Sequence, residues 1–193
     1  GEAERGAARE CLEFWLARRI AADLRPLLAL DAAWREGRLP PDARGLAFRL
    51  IESAGALDRA REDIGHVGAE ALHALKRCGV RIGRHTIFLP GLVRRRSAQS
   101  LATLWHWAHH KTPAGFFLPR AGALSSPLDR AVNWGEAAAA GYRGCGRIAV
   151  RFDIVERLGD ALATDEPTPD AALARLIGRP VRELAGVLNA LGY

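Results

Sequence analysis

The sequence predicts a mainly α-helical α+β fold. Three observations carry that expectation. Apolar residues recur at three- and four-residue spacing over most of the chain. Two short β-branched runs, near 80–89 and 147–152, break that pattern. The chain closes on two helical stretches joined by a tight turn. With 193 residues there is enough chain for one compact domain. Its organisation reads as a helical segment over 1–65, a basic mixed α/β segment over 66–152 and a C-terminal three-helix segment over 153–193.

Taken in order, residues 7–30 read as one long helix. Leu12, Trp15, Leu16, Ile20, Leu24, Leu27 and Leu28 keep near-helical spacing, and Pro26 marks a place for a kink. "EGRLPPD" is a connection. Asp42 is placed to cap a second helix over 43–54, whose face is Leu46, Ala47, Leu50, Ile51 and Ala54, and Gly55 can end it. A third helix over 66–78 presents Leu72 and Leu75. "GVRIGRHTIFLPG" then suggests a strand or hairpin at 80–89. Helix returns in "SAQSLATLWHWAHHK", with Ser97 as a possible cap. The prolines, glycines and serines of 112–130 indicate an ordered loop or a pair of short strands. "GRIAVRF" alternates like a strand. In the next helix, "DIVERLGDAL", Asp153 and Glu156 have the spacing of a capping box. The last helices have helix–turn–helix length. Arg175, Arg179 and Arg182 supply the charge there, offset by Asp170 and Glu183, so packing against 153–162 is favoured over reading DNA.

Charge is the most informative global property. The net charge of +6 is concentrated: from Ala71 to Leu128 there is no Asp or Glu, while nine Lys/Arg and five of the six histidines lie there. Such a window is the electrostatic footprint of a polyanion partner. No apolar run approaches the ~20 residues of a membrane span. The three cysteines, Cys11, Cys78 and Cys145, form no CxxC pair, which fits a reducing cytoplasm. The absence of methionine suggests a segment of a longer protein. Catalytic motifs do not emerge. Neither lysine sits in a P-loop, "GYRGCG" matches a phosphate loop in composition only, and Ser125 and Ser126 have no nucleophile elbow.

On a helical wheel, Ala98, Leu101, Leu104, Trp105 and Ala108 form the expected buried stripe of the histidine-rich helix. His106 and His110 fall opposite with Gln99 and Thr103, and Arg95 and Arg96 extend that polar side. His109 and Trp107 lie on the two flanks. A metal could be gripped by His106 and His110 at i, i+4. However, Trp107 stands where HExxH has its glutamate, and no carboxylate is near. Phosphate suits the stripe better, through arginine forks and neighbouring donors, with Trp107 able to stack on a base or to pack on the protein.

The blocks "LKRCGVRIGRHTIFLPGLVRRRSAQSLATLWHW" and "AAGYRGCGRIAVRFDIVERLGDAL" carry a resemblance. They resemble the region C-terminal to the motor in bacterial relatives of the mitochondrial degradosome RNA helicase, the suppressor-of-var type of superfamily two. The resemblance covers most of residues 10–165. It implies a non-catalytic accessory domain of an ATP-dependent helicase, with ATP and Mg held in a motor core that this chain lacks. The implied partners are that core and RNA or DNA, single-stranded where it leaves the motor. Arg77, Arg81, Arg84, His85 and Arg94 fall on or beside the shared "GVRIG…LP" element. The full candidate set adds Arg95, Arg96, Gln99, His106, Trp107, His110 and Lys111. A protein-docking module is the alternative, and a metal-dependent enzyme using the histidines is a third possibility.

Overall fold

The computed structural model describes residues 1–109, 115–128, 132–164 and 166–193. It opens with four helices: α1 (Glu2–Asp23), α2 (Arg25–Arg35), α3 (Pro41–Glu52) and α4 (Ala69–Arg77). The single helix expected over 7–30 is therefore two. Leu24 leaves helical geometry, and Pro26 in the first turn of α2 has no N–H to continue the ladder from α1. Helix α3 begins before Asp42, with Pro40 at its cap position. Asp42 instead lies in the first turn, where its carboxylate meets the positive end of the helix dipole. Leu30, Leu46, Leu50 and Leu75 are fully buried between these helices.

The hairpin expected at 80–89 is present as β2 (Arg81–Ile82) and β3 (Thr86–Phe88). It is joined by an unforeseen strand, β1 (Ala56–Asp58), in the antiparallel order β1-β3-β2. After a 3-10 turn at Pro90–Val93 comes α5 (Arg95–Ala108). A second antiparallel sheet holds β4 (Ser125–Pro127), β5 (Tyr142–Cys145) and β6 (Ile148–Arg151), in the order β4-β6-β5. The glycine-rich "GYRGCG" is thus β5 with its turn, and β6 is the strand expected near 147–152. Between β4 and β5 lies α6 (Trp134–Ala139), which local periodicity did not reveal.

The chain ends in α7 (Phe152–Leu162), α8 (Asp170–Ile177) and α9 (Val181–Leu191). Ile154, Val155, Leu158, Leu173, Ile177, Leu184 and Val187 form their shared core. Gly178 adopts the left-handed conformation that the tight α8–α9 turn requires.

The helix starts correct two expectations. Helix α5 is capped by Arg94 and not by Ser97, which is buried in the first turn. Asp153 and Glu156 do not form a capping box. Helix α7 has Arg151 at its cap, and Arg151 forks onto Asp153 at 2.6 and 2.9 Å. Glu156 is 1% exposed and reaches across to the β2–β3 turn. It accepts the backbone N–H groups of Arg84, His85 and Thr86 at 2.6, 3.2 and 2.8 Å, and the Thr86 hydroxyl at 2.6 Å. Gly83 makes this approach possible, because a Cβ there would lie 2.0 Å from a Glu156 carboxylate oxygen.

Candidate nucleic-acid interface

The clearest concentration of unneutralised charge lies where α5 begins. Arg94 is the extended cap residue, Arg95 and Arg96 form the first turn, and all three are exposed. No acid lies in that turn and no side chain caps it. Cations at a helix N-terminus oppose the helix dipole, so this arrangement costs stability in the free protein and favours an anion at the site. Among the described residues, neither Arg94 nor Arg95 has a carboxylate within ion-pair distance.

Two shallow grooves share Val93, Arg95 and Arg151. One also holds Pro90, Arg94 and Asp153, with a volume near 300 Å³. The other holds Gln99, Leu118, Arg120, Gly122 and Tyr142. Together the grooves present Arg94, Arg95, Arg120 and Arg151 against one carboxylate, Asp153. The hydrogen bonds that Arg151 donates to Asp153 raise its pKa above the usual arginine value. Tyr142 gives the floor its shape: its hydroxyl donates to the Ala123 carbonyl at 2.7 Å, and burial raises its pKa.

Further along α5, Trp107 is 59% exposed. It borders a separate shallow groove with Leu16, Arg19, Gln99, Ser100 and Thr103. Twelve residues separate Trp107 from Arg95, or about 18 Å along the helix axis. Gln99 belongs to both surfaces.

The other sequence candidates sit differently. Arg81 and Arg84 lie 3.8 and 3.4 Å from Asp160 of α7. The window that lacks acids in sequence is therefore partly neutralised in space. Asp153 and Asp160 are seven residues apart on α7, so the hairpin arginines and the Arg94–Arg95 groove are about 10 Å apart along that axis. His85 is half-buried, its Nε2 3.0 Å from the Tyr193 hydroxyl, and burial lowers its pKa. Arg77 is exposed in the last turn of α4.

His106 does not face solvent, contrary to the wheel. It is 0% exposed. Nδ1–H donates to the Ala102 carbonyl at 2.6 Å, and Nε2 lies 3.0 Å from Oε1 of the buried Glu136 of α6. Phe117 N–H points at the same carboxylate oxygen, at 3.3 Å. Helix α5 buries two sides: Leu101 toward the α2–α4 core, and Ala102 with His106 toward α6 and β5. Ala108, expected in the buried stripe, is exposed at the helix end. Trp105 is partly buried and stacks on His109 at 3.9 Å between centroids. His110 and Lys111 lie outside the described residues. No group of three His, Cys, Asp or Glu is placed to hold a metal among the described residues.

Sequence reasoning missed Arg120 and Arg151. Arg120 lay in the acid-free window and gave that signal, whereas nothing local marks Arg151 at the end of its strand. A further cleft of about 500 Å³ lies between the β5–β6 turn and α9, lined by Arg147, Arg179, Arg182 and Glu183 beside Cys145. Burial pushes the Cys145 thiol up to about 11, so it stays protonated at neutral pH. None of the described helices is long and apolar enough to cross a membrane. Comparison with family models, with curated proteins and with solved structures finds no match.

Proposed function

We propose that this chain is a non-catalytic nucleic-acid-binding domain that holds the phosphate backbone of RNA or DNA at the start of α5. One observation carries the reading: three exposed arginines crowd a helix N-terminus that lacks any acid, beside grooves that add Arg120 and Arg151. Guanidinium forks and helix N–H groups both donate to phosphate oxygens. The exposed face of Trp107 offers a stacking platform for an unpaired base, which favours single strands. On this reading, and by the sequence resemblance, the domain serves an ATP-dependent helicase whose motor core binds ATP and Mg. His106 engages both ring nitrogens within the protein, which argues against its use as a metal ligand.

The test is fluorescence anisotropy with labelled single-stranded RNA and DNA over a salt series. Affinity falls steeply with salt. Replacing Arg94, Arg95 and Arg96 together by alanine reduces the log–log slope by about 2, at ~0.7 per phosphate contact on a single strand. A flat salt response, or an unchanged slope in the triple variant, overturns the reading. Binding to a protein partner without binding to oligonucleotides favours the docking-module alternative, which the exposed apolar residues of α1 support.

A further inference from the structure

We infer that two copies of this chain pair through α1, antiparallel about a two-fold axis. From Glu4 to Arg19 every residue of α1 is exposed, and the helix becomes part of the protein body only around Ile20, Asp23 and Leu24. Yet this stretch carries Leu12, Phe14 and Trp15 at 65, 65 and 59% exposure. At ~100° per residue, Glu4, Ala8, Cys11, Leu12, Trp15 and Arg19 share one face. Leu16 and Ile20 fall to its side, against α5. The apolar face is thus a second face, distinct from the one that anchors the helix.

The pattern of this face matches a second copy of itself. In an antiparallel register whose facing residue numbers sum to 23, Cys11 lies against Leu12 of the second copy. Ala8 then meets Trp15, and Glu4 meets Arg19. Small residues oppose large ones, and at both ends an acid opposes a base. Arg19 keeps its Nε on Asp23 and Glu4 keeps Oε2 on the Gly1 ammonium, so the terminal nitrogens of Arg19 and Oε1 of Glu4 are the atoms to reach across. Arg5 and Arg18 fall on opposite flanks of the seam and stay apart. A parallel pairing would set Glu4 on Glu4 and Trp15 on Trp15. Leu12 and Trp15 are the large apolar side chains of this face, so the contact is well below the ~800 Å² per partner of a standard interface. The pair is therefore weak and concentration-dependent. This inference does not rest on the nucleic-acid reading.

Sedimentation of the whole chain between about 1 and 100 µM tests it. The apparent mass rises from the 20.9 kDa of one chain toward twice that value. Leu12→Glu and Trp15→Glu, both at exposed positions, hold the mass at one chain with an unchanged circular dichroism spectrum. Mild oxidation of the wild type yields a covalent dimer through Cys11, near the axis, and Cys11→Ser abolishes it. A chain that stays monomeric at about 100 µM overturns the inference. So does a dimer that survives Trp15→Glu, or an oxidised dimer that persists without Cys11.

Discussion

Replacing Glu156 by alanine removes the acceptor for three backbone amides and one hydroxyl at the β2–β3 turn. These four bonds are not equal in cost. The Arg84 and His85 amides are only part-buried, so water can replace the carboxylate there. Thr86 is 0% exposed, and its N–H and hydroxyl are left without the acceptor in a dry site. At ~1–3 kcal/mol for each buried unsatisfied donor, Glu156→Ala loses about 4 kcal/mol. In a chain of this size that lowers the melting temperature by roughly 12 °C. Glu156→Gln keeps one acceptor oxygen but turns an N–H toward a donor, and loses about 2 kcal/mol. Gly83→Ala attacks the same contact from the other side and destabilises to a similar degree. Urea unfolding followed by circular dichroism measures all three. Amide exchange at 84–86 reports whether the loss is local to the turn. A Glu156→Ala variant within about 1 kcal/mol of wild type, with those amides still protected, would refute the reasoning.

Further predictions concern the other buried groups. His106→Ala takes the imidazole partner from the buried Glu136 carboxyl and opens a cavity between α5 and α6. It costs about 3 kcal/mol in urea unfolding, near the low end for breaking a buried pair. Near-wild-type stability would show that the pair is incidental. His85 has a pKa held below the ordinary 6.5, chiefly by burial. The unfolded chain then binds the proton more readily, so stability falls as pH drops below about 6.5 and levels off under the folded value. The urea midpoint at pH 8 should exceed that at pH 5.5, and His85→Phe should flatten that part of the slope. Asp23 does not confound this window. Its pKa is lowered by the Ser100 hydrogen bond and by Arg19, against the opposing effect of burial, so its contribution is lost only below the ordinary carboxylate range.

Periodicity located the hairpin and the helices other than α6 because most of their apolar faces meet one neighbour. It failed where an element meets two. Helix α5 lies between the α2–α4 body and α6, so the polar side of its wheel includes His106, which is buried by a contact 30 residues away. Glu156 was misread for a related reason. Its spacing from Asp153 fits a local cap, and nothing local announces donors about 70 residues upstream. Strands β1 and β4 are three residues long, too short for alternation to register. The site was legible by half: "RRR" and the missing acids are visible in sequence, and Trp107 is exposed. The pairing of Arg81 and Arg84 with Asp160, and the arrival of Arg151 beside Arg95, depend on where α7 docks.

The Glu156 contact also sets an order of assembly. The three turn amides leave the ribosome 70 to 72 residues before their acceptor does. At ~5–20 residues per second, that interval is on the order of several seconds to ten or more. For that time the Arg84, His85 and Thr86 amides lack their carboxylate and bond only to water, although β1 and the α2–α4 core against which the hairpin packs are already made. Satisfaction of the turn thus waits for α7: a chain halted before Glu156 can pair β1, β3 and β2 but leaves these three amides to solvent.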